Sequence, residues 1–309
     1  AQLDRRKPGQ SSITTPRSEP DTVHILSGWF EGKTTGTPLM MVLYNKDADP
    51  SAYDDIKEMF RPGHADFTYL KKYGIRDWRG SGRASGRETA GRVAAGAVAR
   101  KILARRGIRV LAYTQRSAGI ECTTFDEDAI ERNPLRACDL QAADRMMEKI
   151  MTIKESEDSV GGVIECRVRG VEAGLGEPVF DKLDAEVAHA IISIGSVKGI
   201  EFGAGFRAGD MTGSQHNDEL GPEGFLSNNS GGIIGGISNG EEIVFRAVIK
   251  PTSSISREQK TVDQAGNPRS IRTEGRHDAC ICPRIVPVVE AMTSLVLVDQ
   301  LKRQRAMHA

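Results

Sequence analysis

Strand-like and helix-like runs alternate along almost the whole chain, and this alternation constrains the fold more than any other feature. TVHILSGWF (22–30) and TPLMMVLYN (37–45) read as β runs joined by the turn-rich EGKTTG. RETAGRVAAGAVARKILARRG (87–107) sets small and apolar residues at helical spacing and stops at glycine. IRVLAYTQ (108–115) reads as a strand, DLQAADRMMEKIMTIKESED (139–158) as an amphipathic helix and GGVIECRVRGV (161–171) as a strand. PVFDKLDAEVAHAIISI (178–194) reads as a helix with proline near its first turn, EIVFRAVIK (242–250) as a strand and PRIVPVVEAMTSLVLVDQLKRQRAM (283–307) as a closing helix. The opening AQLDRRKPGQ shows no element of its own.

Such an order usually signals a parallel doubly wound sheet. The accompanying nucleotide signatures are missing: there is no G-x-x-x-x-G-K-[ST], and GAGFRAG (203–209) misses G-x-G-x-x-G by one residue. On pattern alone an α+β layered fold is as well supported. No linker or fixed-period repeat interrupts the chain, so one domain over 1–309 is expected.

Charge narrows the function. The 42 basic and 42 acidic residues balance, which argues against a general nucleic-acid or membrane binder. No apolar run is long enough to span a bilayer. The five cysteines form no disulfide framework, a pattern expected of a reducing cytoplasm. Cys280 and Cys282 lack the spacing and the second ligand pair of a zinc site, so no metal is expected.

The meaning therefore lies in local clusters. Residues 61–92, RPGHADFTYLKKYGIRDWRGSGRASGRETAGR, gather arginines beside a lone histidine, a Gly-Ser-Gly turn and the start of an Ala-rich helix, which suggests an anionic ligand. GSQHND (213–218), NNSGGIIGGISNG (228–240), KPTSS (250–254) and GRHDACICPR (275–284) add segments where backbone amides, hydroxyls and a lysine can approach a phosphate. Each is also readable as an ordinary tight turn.

Taken in order, DRRKPGQS, FEGKTTGTP, FRPGHADFTY, GRASGRETAGRVAAGA, GLGEPVFDKLDA, SQHND, NNSGGIIGGISNGE, KPTSSI and GRHDACICPRIVPVVEAM resemble chorismate synthase along essentially the whole chain. The resemblance implies a shikimate-pathway lyase that removes phosphate from 5-enolpyruvylshikimate 3-phosphate by anti-1,4-elimination. It also implies dependence on reduced FMN, with NADPH only as an electron source. The fold implied is a β-α-β sandwich, helices packed between antiparallel sheets, in a cytoplasmic homotetramer.

Matched position by position, Arg6, Arg61, Arg87 and Arg276 correspond to the family's anion-binding arginines. The guanidinium fork suits both the phosphate and the two carboxylates of such a substrate. The alternatives are surface ion pairs for Arg6 and Arg61, a first-turn charge for Arg87, and a partnership with Asp278 for Arg276. A cation at a helix N-terminus is unfavourable unless a carboxylate or anion lies near, which favours a functional Arg87. His64 resembles the histidine that protonates the reduced flavin, against the alternative of a loop or packing residue. Asp278 resembles the aspartate that helps the flavin accept the substrate proton, against an ordinary ion pair with Arg276 or His277. The FMN contacts implied are Arg83, Ala84, Ser85, Gly195, Ser196, Gly235, Lys250, Pro251, Thr252, Ser253, Ser254 and, again, Arg276. Within these, Lys250 and the three hydroxyls form the natural phosphate grip.

Some positions depart from the family pattern. Nothing here matches the family's Gly-Glu-Ser-His-Gly motif, which lies upstream of LDRRKPGQ, so that motif and its strand are expected to be missing. Ser12 stands where some relatives carry an arginine linked with nicotinamide binding, and Ala84, Gly86 and Ala279 replace a usual serine, alanine and proline. A non-catalytic FMN-binding homologue, or an inactive truncated subunit, is the competing expectation.

Overall fold

The computed structural model describes residues 1–307 except 48, 50, 80, 81 and 274. Its main sheet has five strands: β1 (Arg109–Ser117), β2 (Ile120–Glu121), β3 (Gly162–Arg169), β4 (Val197–Phe202) and β5 (Ile243–Ile249). They lie in the order β2-β1-β3-β5-β4, every neighbour antiparallel. The parallel sheet suggested by the β/α alternation is thus absent: the helix between β1 and β3 returns the chain alongside β1 in the opposite direction. The fold is α+β.

The five helices used below are α1 (Asp66–Tyr73), α2 (Thr89–Ala104), α3 (Leu140–Glu155), α4 (Leu183–Ile192) and α5 (Cys282–Met307). Alternation along the strands gives the sheet two unlike faces. One buries Val110, Ala112, Ile164, Cys166, Val168, Ile243, Phe245 and Ala247 in a single core with Val286, Val288, Val289 and Leu297 of α5. The other is polar: Tyr113 faces Glu165, Glu165 faces Arg246, and Arg246 faces Glu201 across successive strands. Arg246 donates to Glu201 at 2.6 Å, and Arg167 donates to Glu165 at 2.9 Å.

Helices α2 and α5 pack closely at Gly96, where a Cβ would overlap the Cα and Cβ of Ala291. On its other side α2 meets Met41–Leu43, which pairs antiparallel with Val23–Ile25, so α2 contacts both the main sheet and this small one. The two β-like runs at 22–45 form only these three-residue strands and the outer pair Trp29–Phe30 with Lys33–Thr34. Proline at 287 stands inside α5 and removes the amide that Pro283's carbonyl would accept. Arg136 donates to that carbonyl at 3.2 Å and also holds Arg5's carbonyl at 3.1 Å.

Several expectations need correcting. Residues Gln2–Arg6 form a short helix, because Arg5 reaches Glu290 in α5 and anchors the segment. Helix α4 begins at Leu183 rather than near Pro178, whose neighbours Glu177 and Asp181 pair with each other in a tight loop. Strand β4, helix α1 and the hairpin Gln259–Val262 with Pro268–Ile271 carry too short or too polar a pattern to be read from sequence.

Candidate active site

Beside the N-terminal ends of α2 and α5 the chain leaves a cleft of about 780 Å³, lined by residues from its beginning, middle and end. Nine arginines and Lys250 line it against five carboxylates, a balance that favours anionic ligands.

Its deepest arginine is Arg6, only 2 % exposed. It donates to Thr89 Oγ1 at 3.2 Å, to Asp21 Oδ2 at 3.4 Å and to the carbonyl of Gly86. Burial first, then the neighbouring Arg284, lowers the Arg6 guanidinium to about 10, while Asp21 opposes the shift, so Arg6 stays charged at neutral pH. Arg87 takes the other oxygen of Asp21 and reaches the carbonyl of Tyr44 at 3.2 Å. It lies in the single turn Gly86–Glu88 before α2, with Ser85 capping that turn by accepting from its amide at 3.2 Å. Asp21 is the carboxylate that lets a cation sit before a helix start, and its backbone φ of +46° places it there.

Arg61 is 5 % exposed and grips both oxygens of Asp66 at 2.8 Å. Its face lies 5.3 Å from the ring of Tyr53. His64 points Nδ1 at the same carboxylate, 3.0 Å from Oδ1. Asp66 also receives Arg76 at 3.0 Å. Burial alone would raise this carboxyl, but hydrogen bonds from Arg61 and His64 outweigh it and hold it well below the usual carboxylate range.

At the far wall Asp278 accepts from the Thr15 amide at 2.9 Å and from Arg284 at 2.6 Å. Its arginine partner is thus Arg284 and not Arg276. Arg276 instead meets Asp47 at 2.8 Å on the rim, where Arg17 donates to the Asp47 carbonyl at 2.7 Å. Neither Arg6 nor Arg61 is a surface ion pair; both are buried.

The remaining wall fits a phosphate ester. Lys250 meets no carboxylate among the described residues; its ammonium reaches only the carbonyl of Pro251 at 3.1 Å, and burial, then Lys198, lowers its pKa. Its backbone amide donates to Ser196 at 2.9 Å, which brings Gly195 and Ser196 beside Thr252, Ser253 and Ser254. Among the described residues the buried Thr252 hydroxyl has no partner, which leaves a donor and acceptor for something bound. Arg83 and Ala84 complete this side.

The cleft therefore brings together His64, Asp278, Arg6, Arg61, Arg87, Arg276, Arg83, Ala84, Ser85, Gly195, Ser196, Lys250, Thr252, Ser253 and Ser254. Pro251 sits between two of them and is exposed. Gly235 does not line the cleft; it turns the hairpin Ile233–Ile234 with Ile237–Ser238. GSQHND and NNSGGIIGGISNG likewise serve another purpose, since Asp218 accepts from Ser227 Oγ at 2.6 Å and from the Asn229 and Ser230 amides at 2.6 and 2.8 Å. Sequence reading missed Asp21, Asp66, Arg17 and Arg284. Only Asp66 carried a signal, standing two residues after His64 in RPGHAD.

Comparison with known proteins identifies the family. The family model described as chorismate synthase matches residues 1–301. A chorismate synthase of Syntrophus aciditrophicus is 55 % identical over 99 % of this chain and 87 % of its own, and one of Desulfosudis oleivorans is 57 % identical over 98 % and 86 %. A crystal structure of a chorismate synthase superposes with a TM-score of 0.73 at 31 % identity, covering 97 % of this chain and 81 % of the other. This chain belongs to the chorismate synthase family, lyases of the shikimate pathway that leads to the aromatic amino acids.

Proposed function

We propose that this chain eliminates phosphate from 5-enolpyruvylshikimate 3-phosphate in the anti-1,4 sense to give chorismate, with reduced FMN bound in the same cleft. The observation that carries this reading is the convergence of Arg6, Arg61, Arg87 and Arg276 with His64 and Asp278 around one space, from segments more than 250 residues apart.

The reaction breaks one C–O and one C–H bond, shifts the ring double bond between them so that two C=C bonds stand where one stood, and releases phosphate and a proton. Arginines held in place before the substrate arrives stabilise the charge that gathers on the departing phosphate without reorganising. Arg6 and Arg87, joined through Asp21, present two guanidiniums as one unit for phosphate or carboxylate. Lys250, the Thr252 hydroxyl, Ser253 and Ser254 would hold the FMN phosphate, and Arg83, Ala84, Ser85, Gly195 and Ser196 would flank it. When bound, reduced FMN supplies electron density and a basic ring nitrogen. His64 keeps a ring nitrogen available for a proton, and Asp278, fixed by Thr15 and Arg284, keeps a carboxylate on the opposite wall. The protein acts as a single domain, assembles as a homotetramer and works in the cytoplasm; among the described residues no helix is long and apolar enough to cross a membrane.

The test is an anaerobic assay of the purified chain with chemically reduced FMN and 5-enolpyruvylshikimate 3-phosphate, following chorismate by its absorbance. Chorismate formed only when the flavin is reduced supports the reading. Binding of both ligands without product overturns it in favour of a non-catalytic homologue.

A further inference from the structure

We propose that Asp66 is a positioning residue that fixes the ring of His64 in its Nδ1–H form, so that Nε2 is the nitrogen that takes up and gives back a proton. The proposal rests on the assignment of His64 to the reaction and extends it to a residue outside that assignment.

The geometry leaves Nδ1 with two neighbours of opposite demand. Arg61 Nη2, at 3.1 Å, can only donate, and Asp66 Oδ1, at 3.0 Å, can only accept when ionised. One ring nitrogen serves one of them. Arg61 already spends its Nε and Nη2 on the two oxygens of Asp66, at 2.8 Å each. A bond from Nδ1–H to the carboxylate and a bond from Arg61 to a bare Nδ1 are both charge-assisted, but the second would set the ring lone pair against the nearer, ionised Oδ1, while Arg61 is already satisfied by the same carboxylate. The carboxylate has no freedom to turn away: it also accepts from the Arg61 backbone amide at 3.1 Å and from Arg76 at 3.0 Å, and it is 6 % exposed. With Arg61, Arg76 and His64 around it, Asp66 stays ionised through the neutral range.

Local sequence makes the arrangement. Asp66 opens α1 and His64 lies two residues before it in the Pro-Gly turn, where Gly63 adopts φ +66°. Arg61, His64 and Asp66 thus come from one six-residue segment, and only Arg76 arrives from beyond the helix. A ring oriented by a carboxylate on one nitrogen is the usual way in which a histidine's other nitrogen is given a defined task.

The experiment is histidine-selective 15N labelling of the full chain, with His64→Gln used to identify the His64 signals among the six histidines. Neutral His64 is expected as the Nδ1–H tautomer, and Asp66→Asn is expected to shift it towards Nε2–H. In the chorismate assay Asp66→Asn should lower kcat roughly 10- to 100-fold. In a His64→Gln background the same substitution should leave kcat within about 3-fold, because the kcat loss acts through the ring, while any loosening of Arg61, which Asp66 also holds, appears in KM in both backgrounds. A wild-type Nε2–H tautomer, or an equal kcat loss in both backgrounds, overturns the proposal. If Asp66→Asn fails to fold, the wild-type tautomer alone decides. Should His64→Gln keep full kcat, the histidine has no part in the chemistry, while its tautomer still reports whether Asp66 orients it.

Discussion

Each arginine proposed to bind the substrate is held by an aspartate behind it. Asp21 serves Arg6 and Arg87, Asp66 serves Arg61, and Asp47 serves Arg276. Such pairing lets like charges crowd into one space by setting a carboxylate beside each guanidinium. Arg87→Ala should therefore weaken 5-enolpyruvylshikimate 3-phosphate binding by roughly 10-fold or more, the worth of a charged hydrogen bond, with little change for FMN. Lys250→Ala should do the reverse, and titrations in which both variants affect both ligands equally would count against the division. The arginines were legible in the sequence because anion binding narrows the choice of side chain and the flanking motifs are specific. Asp21 was not, since it stands 15 residues from Arg6 and 66 from Arg87, and nothing in SEPDTV marks it.

Where the helices meet, a single glycine sets the distance. Gly96→Val would drive its side chain into the backbone of Ala291 and force α2 away from α5, an overpacking expected to cost about 1–3 kcal/mol. An unchanged urea midpoint would show that the two helices can separate freely. The loop closed by Asp218 gives a second prediction. Burial there raises the carboxyl, but hydrogen bonds from Ser227 and the Ser230 and Asn229 amides outweigh it and lower it to about 2. A depressed carboxyl contributes fully above its unfolded value near 3.8 and loses that contribution as pH falls through about 2. Amide exchange at Asn229 and Ser230, corrected for intrinsic rate, should stay protected from pH 8 to about pH 5 and weaken below about pH 4; protection independent of pH would remove Asp218 from that role. Helices α2, α3 and α5 and strands β1, β3 and β5 were readable because each buries one continuous face. Strand β4 has Gly199 and charged residues in six positions, and its place was decided by pairing with β5 rather than by its own pattern.

Across the whole molecule, Glu290 is the joint between layers. It is 1 % exposed in α5 and is paired with Arg5 from the first turn and Arg100 from α2, and its Oε1 accepts the Ala112 amide of β1 at 3.1 Å. Glu290→Ala would leave those cations and an amide without their carboxylate, and a loss of about 3–5 kcal/mol in urea unfolding is expected. A loss below about 1 kcal/mol would mean that water replaces the carboxylate there. No sequence pattern announced this joint, because a glutamate in an apolar helix has no local mark of what it will meet. The cleft is likewise assembled from residues near 6, 61, 87, 195, 250 and 276, which touch only when every layer is closed. A ligand at one hundred times its dissociation constant then adds about 2.7 kcal/mol to the stability of the entire chain and not to any part of it. Resistance to proteases should rise and fall with the supply of cofactor and substrate, so that the chain's lifetime in a cell becomes a gauge of flux through its own pathway.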